Sequence, residues 1–169
     1  LLELFRKLPG DLSILNPSPA EDKDTVAVTS ETAQRWNLTT IGDLAEHSAE
    51  VKFGGPSEFI NRAEGLPGLK ANYGLDIPRS NFVAISDGGG PATVRALTDG
   101  TVTAANIFST SPAIEENDLV VLEDPKNNFL AANVIPLVSS QKKSDELKTV
   151  LDAVSAELTT EDLIRLNTE

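Results

Sequence analysis

Phe108, Ser109 and Thr110 place an aromatic face beside two hydroxyls where the apolar run Val102–Ile107 stops. In open α/β sheets ligands collect outside the carboxyl ends of strands, so this trio is a candidate binding wall. The competing reading makes Phe108 core and the hydroxyls caps of the next turn. Arg62 is a second candidate. It follows a Gly54-Gly55-Pro56 turn and a short helix carrying Glu58 and Phe59, from which a guanidinium can reach a cleft and fork onto a carboxylate. Its alternative is a surface salt bridge. Gly88-Gly89-Gly90 follows a strand but lacks the spaced glycines and later acid of a dinucleotide fingerprint, so it reads as backbone passing close to a neighbour.

Several chemistries fall away. With no cysteine there is no disulfide, thiolate metal site or cysteine nucleophile. His47 is the single histidine, which leaves a histidine metal site or a serine–histidine triad little to build on. The pairs Glu21-Asp22, Glu115-Glu116 and Glu123-Asp124 are sequence neighbours that do not face each other in a regular element, so no glycosidase pair follows from them. A net charge of -12, from 14 basic and 26 acidic residues with no basic stripe, argues against nucleic acid or an anionic membrane as partner. Hydrophobic content of 40% with 24% charge is ordinary for a globular protein, and no apolar run approaches the ~20 residues that span a bilayer. Leu1–Phe5 lacks the basic flank and long apolar region of a signal peptide.

The elements that must position these residues alternate along the chain. Helical spacing marks Leu1–Leu8, closed by Pro9-Gly10, and Leu12–Leu15 reads as a strand. NPSPAEDKD is a connection, and Thr25–Val28 a β-branched strand. Thr29 or Ser30 caps a helix holding Ala33 and Trp36, and Thr40 caps IGDLAEH with Asp43 in its first turn. Val51–Phe53 is a strand, Gly65–Tyr73 a helix stopped by Gly74, Phe82–Ile85 a strand, and Pro91 opens a helix that ends near Gly100. Leu119–Leu122 and Val134–Val138 are strands, Lys148–Leu158 an amphipathic helix, and Thr160–Leu166 a capped terminal one. Such alternation predicts an α/β fold.

FGGPSEFINRAEGLPGLKANYGLD, VRALTDGTVTAANIFSTSP and LVVLEDPKNNFLAANVIPLV, with PAEDKDTVAVTSETA upstream and ELTTEDLIRLN downstream, resemble the osmoprotectant-binding proteins of ABC importers. The resemblance implies a two-lobed, type II periplasmic-binding architecture, with this chain as its carboxyl-terminal portion. Residues 1–24 would end the first lobe's opening segment and cross over, residues 25–107 would form the second lobe, and 108–169 would complete the first. It implies an extracytoplasmic protein that closes on a small compatible solute, such as a betaine or related quaternary amine, and delivers it to a membrane permease. It implies no enzyme, cofactor or metal. Exposed first-lobe surface would invite dimerisation. Competing functions are an enzyme on the same fold, with Asp24 or Asp87 as acid or base, and a ligand-sensing receptor domain.

Family members box a quaternary ammonium between aromatic faces and anchor an anionic group with polar or guanidinium donors. Arg62 matches the family's arginine, and Phe108 a position where an aromatic is common. Asp24 and Asn133 stand where many members have aromatic rings, and this chain has only 5% aromatics. Asp24 would then face a cation directly, and Asn133 would offer both donor and acceptor. The expected ligand-facing set is Asp24, Arg62, Phe108, Ser109, Thr110 and Asn133. Trp36 and Tyr73 are expected to pack structurally.

Overall fold

The computed structural model describes residues 8–130 and 132–168, so all of the helix expected at the start except Leu8 lies outside them. The chain divides into two compact units: one takes residues up to Asp22 together with those beyond Leu130, the other runs Lys23–Leu130. Among the described residues no helix is long and apolar enough to cross a membrane.

In the first unit, β1 (Leu12–Ile14) pairs antiparallel with β7 (Leu137–Ser139), Leu12 facing Ser139. Helix α6 (Asp145–Glu157) starts at Ser144, whose hydroxyl accepts the Leu147 amide at 3.1 Å, and Asp145 and Glu146 complement the positive end of its dipole. Asp152 on α6 accepts both the backbone and side-chain N–H of Asn16 at 3.0 Å, tying the helix to the segment after β1. Thr159 and Asp162 cap α7 (Thr160–Thr168) reciprocally. The expected apolar stripe of α6 is present, with Val150 and Val154 largely exposed.

The second unit is built on a five-stranded sheet of order β4-β3-β5-β2-β6. Its strands are β2 (Asp24–Thr29), β3 (Phe53–Gly55), β4 (Phe82–Ala84), β5 (Ala104–Phe108) and β6 (Leu119–Val121). β3 runs parallel to β4 and β5, whereas β2 is antiparallel to both β5 and β6. Helices α1 (Ser30–Trp36), α2 (Ile41–Ala45) and α3 (Leu66–Tyr73) belong with one face, where Val26, Val28, Ile41, Leu44, Phe53, Phe59 and Leu69 are fully buried. Helix α4 (Pro91–Thr98) covers the other face over Ala27, Ala105 and Ile107, and α5 (Ala113–Glu116) precedes β6. Burial on both sheet faces explains why these strands read as continuous apolar runs rather than as alternation.

The expected caps form. Thr29 accepts the Thr32 amide, and Thr40 and Asp43 make a capping box. Gly74 ends α3 in the left-handed region at φ 75°, where a side chain would be strained.

Two expectations change. Gly54 and Gly55 are not a loop after a strand; they are buried strand residues, paired with Val83 and Ala84 of β4. A side chain at Gly54 would meet Ile85 and Val102 at 3.3 Å, so glycine here serves close packing. The helix expected after Pro56 is a single 3-10 turn, Ser57–Ile60. Residues 109–130 cluster with Lys23–Phe108, β6 pairing with β2 through Ala27–Val121 and Thr29–Leu119.

Gly65 is the tightest point. A Cβ there would sit 2.0 Å from the Phe59 carbonyl oxygen, so the backbone leaving the Phe59 turn has no room for a side chain. Gly65→Ala is therefore expected to lower unfolding stability by roughly 1–3 kcal/mol. Gly10→Ala, with open space around it, should change stability little. Urea denaturation of both variants reads the difference, and equal midpoints would contradict the packing described.

Candidate functional site

The reversed direction of β2 brings chemistry to one edge of the sheet. β3, β4 and β5 end there, and β2 begins there, so Asp24 lies directly opposite Phe108 in register. β6, antiparallel to β2, also ends there and leads into Glu123 and Asp124. Side chains alternate along a strand, so Asp24, Asn106 and Phe108 share the face that packs Val26 and Phe53. Phe108 is 37% exposed. Asn106 is buried, and its amide donates to an Asp24 carboxylate oxygen at 3.0 Å and to the Thr25 carbonyl at 3.2 Å.

Arg62 meets the other Asp24 oxygen through Nη2 in a direct ion pair. The 3-10 turn after Pro56 delivers it: the Arg62 amide donates to the Glu58 carbonyl at 2.8 Å, and its guanidinium lies over the Phe59 ring with Cζ 5.2 Å from the centroid. Phe59 is fully buried, stacked on Phe53 at 5.5 Å and tilted against Phe129 at 6.2 Å. Glu64 stands 3.9 Å from Nε of Arg62, too far to accept a hydrogen bond, and that nitrogen is buried without a partner. Arg62 is thus held by a carboxylate on one side and an aromatic ring on another, both from the chain itself.

The glycine loop lies against β5. Gly89 (φ 81°) would bring a Cβ within 2.9 Å of the Ile107 Cα, and a Cβ on Gly88 would touch the Phe108 ring at 3.6 Å. This is the close backbone approach expected of the triplet. Asp87 caps α4, accepting the Ala92 and Thr93 amides at 2.7 and 3.1 Å and the Thr93 hydroxyl at 2.6 Å. Burial alone would raise its pKa, but hydrogen bonds from Thr93, Ala92 and Gly90 outweigh that and hold it below the usual carboxylate value.

Next to Asp24 a cavity of about 180 Å³ opens between β2 and β6, with Lys23, Glu123, Asp124 and Phe129 in its walls. Asp124 also accepts the Tyr73 hydroxyl and the amides of Asn128 and Phe129 at 2.9 and 2.8 Å. Burial first, then the hydrogen bond to Asp124, pushes the Tyr73 phenol up to about 12. Tyr73 therefore has the structural role expected of it, fixing the segment that carries Phe129.

Of the sequence candidates, Asp24, Arg62, Phe108 and Ser109 come together at this edge. Ser109 extends the ladder, its hydroxyl accepting the Lys23 amide at 3.1 Å and its own amide donating to the Lys23 carbonyl at 2.9 Å. Thr110 is buried. Asn133 belongs to the first unit, where its amide donates to the Ser18 carbonyl at 3.1 Å and its backbone bridges Glu21. His47 stacks on Trp36 at 4.2 Å and lies 3.5 Å from Glu50, a packing role. Asn106 was missed, although an amide in the otherwise apolar run AANIF was a visible signal.

A family model for the substrate-binding domain of ABC-type glycine betaine transport systems matches residues 4–169. The glycine betaine-binding protein YehZ of Escherichia coli is 28% identical over 98% of this chain and 57% of its own length. The carnitine transport binding protein OpuCC of Listeria monocytogenes is 25% identical over 84% of this chain and 46% of its own. The chain thus spans about half the length of these relatives. A crystal structure described as a glycine betaine/carnitine/choline ABC transporter superposes with a TM-score of 0.76 at 29% identity, covering 99% of this chain and 60% of that one. The fold is the type II periplasmic-binding kind.

Asp87 gives a pH signature. Because its native pKa lies below the ordinary value of 3.8, the stability it contributes is complete above that value and is lost as pH falls through the native one. Unfolding midpoints measured from neutral to acid pH should fall less steeply on the acid side in Asp87→Asn than in the parent. Parallel acid limbs would contradict the cap.

Proposed function

The chain belongs to the family of substrate-binding domains of ABC-type glycine betaine transport systems, and from that premise we propose that it binds a small quaternary amine or related zwitterion outside the cytoplasm and presents it to the membrane permease of an ABC importer. The observation that carries this reading is the juxtaposition of Asp24 and Phe108 across the β2–β5 register at the strand ends. A quaternary ammonium donates no hydrogen bond, so only charge and polarisable faces can hold it, and a carboxylate beside a partly exposed ring offers both. Phe108 is the ring, Asp24 the counter-charge, and Arg62 with Asn106 fixes the carboxylate in place.

Names of relatives support a solute-binding role over the enzyme alternative. Asp87, one of the two carboxylates an enzyme would use, is committed to the start of α4. Exposed Val150 and Val154 on α6 support the expectation that this 169-residue chain self-associates.

Titration calorimetry of the full-length protein with glycine betaine, carnitine, choline and proline tests the reading. Saturable binding of at least one amine is expected, and Phe108→Ala should weaken it about 2- to 30-fold, the span of a cation–π contact. Heat changes that never saturate with any of the four would sink the proposal. Unchanged affinity in the Phe108 variant would remove the ring from the site.

A further inference from the structure

We infer that Asp24 sets the charge selectivity of the site: by holding Arg62 itself, it leaves the strand edge a receptor for a cation that carries no acid group, and it disfavours a zwitterion. This deepens, and rests on, the solute-binding reading above. A guanidinium is the group best suited to fork onto a ligand carboxylate. In this chain Nη2 is on Asp24, one face lies against Phe59, and Nε lies beside Glu64 without a hydrogen-bond partner.

A carboxylate brought to Arg62 would stand next to two others, Asp24 and Glu64, and like charges crowded on one cation repel. Asp24 cannot simply swing aside. Its second oxygen accepts from Asn106, and Asn106 is itself buried and tied to the Thr25 carbonyl.

The space beside Asp24 points the same way. The cavity of about 180 Å³ is lined by three acidic residues, Asp24, Glu123 and Asp124, against the single basic Lys23. Phe129 supplies an apolar side to it. An excess of negative charge favours a permanent cation, and a carboxylate on the ligand adds repulsion from Asp24 and Glu64.

Choline and glycine betaine make the test, since both carry the trimethylammonium head and differ in an alcohol against a carboxylate. Their dissociation constants are measured by calorimetry on the full-length protein and on Asp24→Asn. The parent should prefer choline by about tenfold or more. Asp24→Asn, which frees Arg62 and removes the competing charge, should reverse that order. A parent that prefers glycine betaine, or a choline-to-betaine ratio unmoved by Asp24→Asn, would overturn the inference while leaving solute binding intact. Failure of the parent to bind either amine would remove the binding reading and this inference together. Should Asp24→Asn not fold, Arg62→Gln probes the pair from the other side. With the guanidinium gone, Asp24 faces the cation unopposed and choline should bind at least as tightly as in the parent; loss of choline binding there would also overturn the assignment.

Discussion

The pairing of Asp24 with Arg62 is the contact around which the strand edge of the second unit is organised, and it exists only because one strand runs backwards. Had β2 joined its sheet in parallel, its first residue would lie at the amino edge, far from the turn that carries Arg62. Inserted antiparallel between β5 and β6, it opens at the edge where β3 and β5 close, with Asp24 opposite Phe108. The guanidinium arrives over the Phe59 ring, and Asn106 takes the remaining carboxylate oxygen. Charges partly removed from water are costly unless their hydrogen bonds are made, and here the partners come from three separate segments of the chain. The tertiary fold is therefore what makes the pair, and the pair in turn fixes how the edge presents charge.

Around that pair the supports are local and ordinary. Pro56 starts the turn that ends at Arg62, and Gly65 lets the chain leave it against the Phe59 carbonyl. Tyr73, through Asp124, holds the segment that lays Phe129 on Phe59, so the aromatic floor beneath the guanidinium depends on a phenol in α3. The glycine loop packs on β5 because Gly89 carries no side chain toward the Ile107 backbone. An aromatic-poor chain thus spends its rings on its own arginine and core, leaving Phe108 and the carboxylates to face outward. That is the physical sense in which it departs from an aromatic box while keeping the type II architecture of its relatives.

The sequence carried the local rules well. Thr29, Thr40 and Gly74 act where capping chemistry puts them, and the strand–helix alternation gives the α/β class. Long-range pairing was less legible. Gly54 and Gly55 read as loop because glycine marks turns, yet they are strand residues, with Gly54 packed closely on Ile85 and Val102. The family resemblance puts the return between lobes at residue 108; in the structure β6 pairs back onto β2, and residues through Leu130 cluster with the second unit. Asp24 and Arg62 were both singled out, but as two separate ligand contacts. Their mutual commitment depends on a register that no spacing between positions 24 and 62 encodes.

If Asp24 and Arg62 form one unit, their contributions to stability must be coupled. A double-mutant cycle on unfolding free energy, using Asp24→Asn, Arg62→Gln and the combined variant, reads that coupling without reference to any ligand. The pair described predicts a coupling of about 1 kcal/mol or more, since each single change leaves a partly buried partner unsatisfied. Additive effects, with coupling below about 0.3 kcal/mol, would contradict it.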